Sequence, residues 1–251
     1  MLPDSTAPDS LSTPPPEPAI TSQPTPWRSV GEVILCSGYP SQLLLGAVLQ
    51  AVGITPRTTS GSLSATFVFA LSLLDTVLLL SLVIWLIRQR GERPATVFFG
   101  GRPLVSEAIV GMVSLPLVLL VVLTTSIAIR LVAPQLHNVE QNPLEGLLGS
   151  QTGLFAFLFV VIVAGGLREE LQRIFLLHRF QQDLGGARVG LVITSAAFGL
   201  GHTLQGWDAA VITAILGALW GWISLSRGSA TASIVSHSLF NSGELVRAVF
   251  R

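Results

Sequence analysis

The chain has 251 residues, of which 50% are hydrophobic and only 11% are charged, and its formal net charge at pH 7 is zero. About a quarter of the residues of an ordinary soluble domain are charged, so the composition excludes that class. The balanced charge gives no indication of a nucleic-acid partner. Several apolar stretches reach the roughly 20 residues that a helix needs to cross a bilayer. We therefore predict an all-α, polytopic transmembrane helical bundle surrounded by membrane lipid.

The chain begins with a segment rich in proline. Residues 1–26 hold eight of the fifteen prolines and lack the basic and apolar regions of a signal peptide. We expect a disordered Pro-rich tail over residues 1–26 and an integral membrane domain over residues 27–251. Apolar runs then predict membrane helices at 31–53, 63–87, 107–132, 153–180, 187–204, 209–226 and 229–248. In the first of these, Pro40 predicts either a kink or the true start of the helix.

The distribution of arginine predicts the orientation of these helices. Segment 88–102 contains four arginines, and the positive-inside rule predicts that it is cytoplasmic. Segment 134–150 has no arginine and two glutamates, so we expect an outer loop there. Counting helices from these loops makes the N-terminus cytoplasmic. The expected location is the bacterial inner membrane.

Three later helices carry ionisable or amide side chains within apolar surroundings. These residues are Glu169, Glu170 and Arg173 in the fourth segment, His202 in the fifth, and His237 and Asn241 in the last. Placing a charged side chain at the centre of a membrane helix costs roughly 2.5 to 3.5 kcal/mol on insertion scales, so such groups usually face the bundle interior and mark function. We therefore predict that the three helices meet at one polar centre.

Helical spacing relates several of these residues to each other. His237 and Asn241 are four residues apart, so they share one face of a helix. Glu169 and Arg173 have the same spacing, which predicts an ion pair within the helix. Glu170 then points about 100° away and is free for another role. Spacing leaves open which glutamate faces the histidines.

A carboxylate, two imidazoles and an amide can activate water and stabilise an oxyanion. The carboxylate can act as general base, and histidine and asparagine can donate hydrogen bonds to a developing tetrahedral oxygen. The same residue types permit a second scheme, in which Glu169, His202 and His237 hold a zinc ion with one open position. The second glutamate would then act on the metal-bound water. Both schemes remain open.

The order of these motifs resembles the CPBP family of intramembrane proteases, which includes the type II CAAX prenyl endopeptidases and the bacteriocin-immunity (Abi) proteins. A Glu-Glu pair with a following arginine precedes Phe198-x-x-x-His202 and then His237-x-x-x-Asn241 on successive helices. The resemblance covers about residues 150–248. It implies that this segment is the catalytic core and that Phe198 supports the site.

The first motif departs from the family pattern. In 169-EELQR-173, two residues separate the second glutamate from the arginine, where the family has three. Aligning on the glutamates makes Glu169 the catalytic-type residue, whereas aligning on Arg173 puts Arg168 in the place of the first glutamate. We favour Glu169 and Glu170 as the functional pair, with Arg173 as support. A helix tolerates slippage of a neutralising arginine better than loss of the acid that activates water.

The resemblance also implies roles for the site residues. Glu169 or Glu170 with His202 would activate water, while His237 and Asn241 would hold the oxyanion or a metal. The implied function is an intramembrane endopeptidase, of glutamate type or metal-dependent, that cleaves a membrane-associated peptide or protein near the cytoplasmic face. Two alternatives stay open: a non-catalytic scaffold or bacteriocin-immunity protein on the same fold, and a proton-coupled transporter. The sequence determines neither the substrate nor the oligomeric state.

Other polar and aromatic residues are predicted to have only structural roles. Arg179, Arg188 and Arg227 are expected as anchors at the membrane interface, and Trp220 as an interfacial aromatic. Asp75 is an isolated acid inside the second predicted helix, and the sequence shows neither an evident partner nor a function for it.

Overall fold

The computed structural model describes residues 26–148 and 151–250. Within these ranges the chain is helical and forms no strand beyond one isolated bridge between Arg57 and Leu63. The prediction of an all-α protein is therefore confirmed. Apart from Pro26, the predicted tail lies outside the described residues.

Ten α-helices follow each other along the described part of the chain. They are α1 Pro26–Leu35, α2 Tyr39–Ala51, α3 Ala65–Gln89, α4 Pro94–Phe99, α5 Leu104–Val132, α6 Gln151–Val160, α7 Glu169–Asp183, α8 Ala187–Leu200, α9 Trp207–Arg227 and α10 Thr231–Val249. A π-helical stretch, Val161–Arg168, joins α6 to α7 without interruption. Short 3₁₀ turns lie at Pro134–Leu136, Pro143–Leu148 and Thr203–Gln205.

The helices fall into two groups by their ability to cross a membrane. Four described segments are long and apolar enough to do so: Pro26–Ala51, Ala65–Gln89, Pro94–Val132 and Trp207–Arg227. A helix also overlaps each of the other three predicted segments, so the prediction of about seven membrane helices is confirmed in outline. These three carry most of the predicted site residues. One of them, α8, has 14 residues, about 21 Å, which is less than the roughly 30 Å of a hydrocarbon core.

The first predicted helix is in fact two helices. Gly38 has φ +90°, a left-handed conformation that favours glycine, and α2 begins at Tyr39 with Pro40 in its first turn. Of the two predicted alternatives for Pro40, the start of a helix is therefore the one found. The break between the helices leaves the carbonyl oxygen of Cys36 free to accept a hydrogen bond from Gln172 Nε2 of α7 at 2.8 Å.

The helical run from Gln151 to Asp183 changes its hydrogen-bonding pattern in the middle. The stretch Val161–Arg168 is π-helical, a rare geometry that is often found at functional sites. It ends directly before Glu169, so it sets the direction in which the first turn of α7 presents its side chains. No feature of the sequence predicted it.

The π-helical stretch packs closely against α10 through two glycines. A Cβ atom added to Gly165 would lie 2.6 Å from Nδ2 of Asn241, and one added to Gly166 would overlap with the side chain of Ser238. The absence of side chains at these two positions therefore lets α10 bring its polar residues to the start of α7.

Replacing Gly166 by alanine is expected to destabilise the protein by about 1 to 3 kcal/mol, because the added methyl group would overlap with Ser238. Gly243→Ala is the matched control, since Gly243 lies in α10 with nothing within 4 Å of an added Cβ. That change should be neutral or should stabilise the helix by up to about 1 kcal/mol. Thermal denaturation in detergent compares the two variants. Equal melting temperatures would contradict the close packing.

α8 and α9 form a tight helical hairpin. A Cβ atom on Gly217 would lie 2.9 Å from the ring of Phe198, and one on Gly221 would lie 2.6 Å from Leu191. Small residues let neighbouring membrane helices approach this closely. The hairpin thereby holds the Phe198 ring between α8 and α9.

A network of ion pairs joins α1, the loop after α3 and the end of α7, at what we call the arginine-rich end of the bundle. Arg179 is fully buried and contacts Glu32 and Glu92, each at 2.6 Å. Arg90 contacts Glu32 at 3.0 Å and Asp183 at 2.8 Å. The prediction that Arg179 is an interface anchor is therefore wrong, because carboxylates from two other segments neutralise it inside the protein.

Glu92 makes this network sensitive to acid. Burial raises the pKa of the Glu92 carboxyl, but hydrogen bonds from His178, Arg179 and Gln182 outweigh burial and lower the pKa from 4.5 to about 2. A folded-state pKa below the unfolded one means that the stabilisation is fully present above about pH 4.5 and is lost as the pH falls toward about 2. Glu92→Gln should therefore melt earlier than wild type near pH 6, and the difference should shrink between about pH 5 and pH 2. A constant difference across this window would contradict the role of Glu92.

Candidate active site

Two glutamates at the start of α7 enclose the imidazole of His237 from α10. Nδ1 of His237 is 2.8 Å from Glu170 Oε1, and Nε2 is 3.9 Å from Glu169 Oε2. The side chain of Glu170 is fully buried, whereas that of Glu169 keeps 18% of its surface exposed. The two carboxylates therefore differ in access: one is closed off by protein and the other lies at the edge of the site.

Each glutamate has its own arginine partner. Arg173 pairs with Glu170, and Arg168 Nη2 pairs with Glu169 Oε1 at 3.1 Å. The predicted pair between Glu169 and Arg173 is therefore wrong, as is the prediction that Glu170 is free. Residues three apart are neighbours on a helix just as residues four apart are. Because Arg168 already pairs with Glu169, Arg173 pairs with Glu170 instead.

Aromatic rings fix the orientation of the site residues. Trp220 stacks on His237 with ring centroids 3.8 Å apart and planes at 14°. Phe198 lies edge-on to His237 at 6.0 Å, and its face is 4.4 Å from the guanidinium carbon of Arg173, a cation–π contact. The imidazole and the guanidinium are thus both held against aromatic surfaces.

The prediction that Trp220 lies at the membrane interface is wrong, since the residue is 1% exposed. Its Nε1 donates a hydrogen bond to Ser236 Oγ of α10 at 3.2 Å. The sequence contains one indication that Trp220 is buried. Trp220 follows Gly217 by three residues, so it lies on the same face of α9 as this closely packed glycine.

His202 and Asn241 lie at the edges of this centre. His202 follows the end of α8, where its Nδ1 is 2.8 Å from the carbonyl oxygen of Phe198 and its ring is edge-on to the Phe198 ring at 4.9 Å. Within the described ranges it makes no ion pair with either glutamate. Asn241 lies beside Gly165 of the π-helical stretch. Among the described residues, ring contacts connect His202 to Phe198 and Phe198 to His237, which faces both glutamates.

The zinc scheme requires three ligands around one point. Over residues 26–148 and 151–250, no group of three or more His, Cys, Asp or Glu side chains is arranged to hold a metal ion. Glu169 and His237 approach each other, but His202 is turned toward the backbone of its own helix. The residues as they are placed do not fit a zinc site formed by Glu169, His202 and His237.

Fold and site together define a class: a polytopic helical membrane protein whose inner helices enclose paired glutamates, histidine and an amide. Residues 150–243 match the protein family described as type II CAAX prenyl endopeptidase Rce1-like. The resemblance inferred from the motifs is therefore confirmed over residues 150–243, which are similar to the type II CAAX prenyl endopeptidases. No curated protein and no solved structure matches the chain.

Proposed function

We propose that the chain is an intramembrane endopeptidase in which Glu169 activates the water that attacks the peptide bond. The observation that carries this proposal is the arrangement of His237 between Glu169 and Glu170. Glu169 is the carboxylate that water and a substrate can reach, because Glu170 is fully buried and already bonded to Arg173. In this assignment Glu170 orients the imidazole and does not touch the substrate.

The hydrogen-bond partners determine the tautomer of His237. An ionised carboxylate only accepts hydrogen bonds, so Nδ1 of His237 carries the proton that is donated to Glu170. When the ring is neutral, Nε2 is an acceptor that faces Glu169 Oε2 at 3.9 Å. A water bound between these two acceptors donates a hydrogen bond to each of them, which directs its oxygen lone pairs away from both bases and toward a substrate carbonyl.

Peptide hydrolysis at this site follows from that arrangement. The water oxygen bonds to the carbonyl carbon while its proton passes to Glu169. The negative oxygen of the tetrahedral intermediate needs hydrogen-bond donors, and the Asn241 amide beside Gly165 is one candidate. The C–N bond then breaks as the proton on Glu169 passes to the leaving nitrogen.

The contacts favour His237 as the histidine that works with Glu169. The family resemblance implies His202 for this role instead. Nδ1 of His202 donates to a backbone carbonyl, so its Nε2 is free in the neutral ring, and a protonated His202 would be a further donor to the oxyanion. We propose that His202 acts on the substrate side of the centre.

We propose that the substrate is a membrane-anchored peptide cut near the cytoplasmic face. The depth of the site can be judged from α10, which begins at Thr231. His237 is six residues further along, about 9 Å from the start of the helix. The turn before α10 contacts α4, where Ala230 N donates to Phe98 O at 2.8 Å. α4 follows the arginine-rich end, for which the positive-inside rule predicts a cytoplasmic location. The start of α10 therefore lies on the same side.

The matched family is that of the CAAX prenyl endopeptidases, so a prenylated CAAX peptide is the first substrate to test.

The test uses the full-length protein in liposomes with three peptides: a farnesylated CAAX peptide, the same peptide without the farnesyl group, and an apolar transmembrane peptide. The wild type should cut at least one of them at a single bond, with both products identified by mass spectrometry, and Glu169→Gln should cut it at least about 10²-fold more slowly. If the wild type cuts none of the three, the endopeptidase proposal fails and a scaffold is favoured. Proton or solute flux without cleavage would instead favour a transporter.

A further inference from the structure

Asp75 is an acid in the middle of the apolar helix α3 and is 1% exposed. The sequence shows no evident partner for it, but the structure places three polar side chains against it. Its Oδ1 accepts a hydrogen bond from Ser41 at 2.5 Å, and its Oδ2 lies 3.3 Å from Gln42 Nε2 and 3.4 Å from Arg168 Nη1. Two polar residues of α2 and one arginine therefore hold this carboxylate inside the bundle.

Arg168 connects Asp75 to the candidate active site. Its Nη1 contacts Asp75 and donates to Gln172 Oε1 at 3.0 Å, its Nε donates to the carbonyl oxygen of Ala164 at 3.3 Å, and its Nη2 donates to Glu169 Oε1 at 3.1 Å. All three nitrogens of this buried guanidinium are thus engaged. Only one of them contacts Glu169.

The geometry of this contact determines which oxygen of Glu169 is available. Arg168 binds Oε1, and Oε2 is the oxygen that faces His237. An arginine that is not otherwise engaged prefers to bind both oxygens of a carboxylate in a parallel fork. Asp75 opposes that outcome in two ways, because together with Gln172 it holds Nη1 and because it shares the single positive charge.

We propose that Asp75 is a positioning residue for Glu169. It holds Arg168 so that the guanidinium binds one oxygen of Glu169 and leaves the other facing His237. Asp75 lies in α3, outside the matched residues 150–243, so the early helices contribute to the geometry of the site. This inference rests on the proposed role of Glu169 in activating water.

The test is Asp75→Asn, assayed in liposomes with the peptide that the wild type cuts most rapidly. Because Asp75 no longer shares its positive charge, the guanidinium should draw both oxygens of Glu169 away from His237, and we expect kcat to fall about tenfold to hundredfold. KM should change by less than about twofold, because Asp75 does not reach the substrate. A second variant adds Arg168→Lys to Asp75→Asn. The lysine ammonium is a point charge that cannot form the fork, so this double variant should recover part of the lost kcat.

Glu107→Gln is the matched control. Glu107 is also 1% exposed and also pairs with an arginine, Arg227, at 2.6 Å, but it lies in α5, and its ion pairs within the described residues go to Arg227 and Arg102. We expect this variant to lower the melting temperature without lowering kcat. A loss of kcat in both carboxylate variants alike would mean that the effect is only structural and would overturn the inference.

Two further outcomes separate this inference from the proposed function. If Asp75→Asn keeps the kcat of the wild type while Glu169→Gln loses at least about 10²-fold in kcat, the positioning role is overturned and the proposed function stands. If Glu169→Gln itself cleaves as the wild type does, the proposed function fails and the positioning role falls with it. If the double variant of Asp75→Asn and Arg168→Lys is no more active than Asp75→Asn alone, the proposal that Arg168 would otherwise bind both oxygens of Glu169 is also overturned.

Discussion

Glu169→Gln is expected to lower kcat for peptide cleavage by about 10²- to 10⁴-fold while leaving the melting temperature close to that of the wild type. A positioned general base contributes about that factor to a rate. The amide has nearly the shape of the carboxylate, and Arg168 keeps its pairing with Asp75 when Glu169 loses its charge. Product formation by mass spectrometry and thermal denaturation in detergent measure the two quantities.

Glu244→Gln controls for the loss of a carboxylate from the same region. Glu244 lies in α10 and forms an exposed pair with Arg247 at 2.5 Å. Exposed pairs contribute about 0 to 1 kcal/mol, so neither kcat nor the melting temperature should change measurably. Wild-type activity in Glu169→Gln would rule out Glu169 as the base.

Glu170→Gln is expected to fold poorly, in contrast to Glu169→Gln. The change leaves the buried guanidinium of Arg173 without its carboxylate, and breaking a buried ion pair in this way costs about 3 to 5 kcal/mol. Domains are stable by only about 5 to 15 kcal/mol, so the yield of folded protein and the melting temperature should both drop. Size-exclusion chromatography and thermal denaturation in detergent measure them.

Adding Arg173→Met to Glu170→Gln distinguishes loss of stability from loss of chemistry. The double variant has no unpaired buried charge, so much of the lost stability should return. Cleavage should stay impaired, because His237 has lost the carboxylate that orients it. A Glu170→Gln variant as stable as the wild type would contradict the buried pair.

The helices were predictable because they depend on local patterns. The apolar run predicted at 63–87 is found as Ala65–Gln89, and that predicted at 229–248 as Thr231–Val249. The π-helical stretch was not predictable. It coincides with the close approach of α10 to Gly165 and Gly166, which is a contact between segments about 70 residues apart.

The cluster around His237 was predictable in its residues and not in its contacts. Motif spacing selected both glutamates, Arg173 and His237, and the structure brings these four together. Spacing could not decide which glutamate Arg173 would bind, because residues three and four apart are both neighbours on a helix. That choice depends on Arg168, whose contact with Glu169 leaves Glu170 to Arg173.

The sequence by itself determined a helical membrane protein, its resemblance to the type II CAAX prenyl endopeptidases and the polar residues of the buried centre, because apolar length and motif spacing are properties of the chain alone. The tertiary structure decided that Asp75 and Arg168 reach Glu169, that Trp220 stacks on His237 and that Arg179 is buried. Hydrogen bonds, ion pairs and ring contacts act over a few ångströms. Which of them form is therefore settled only when helices distant in the sequence pack side by side.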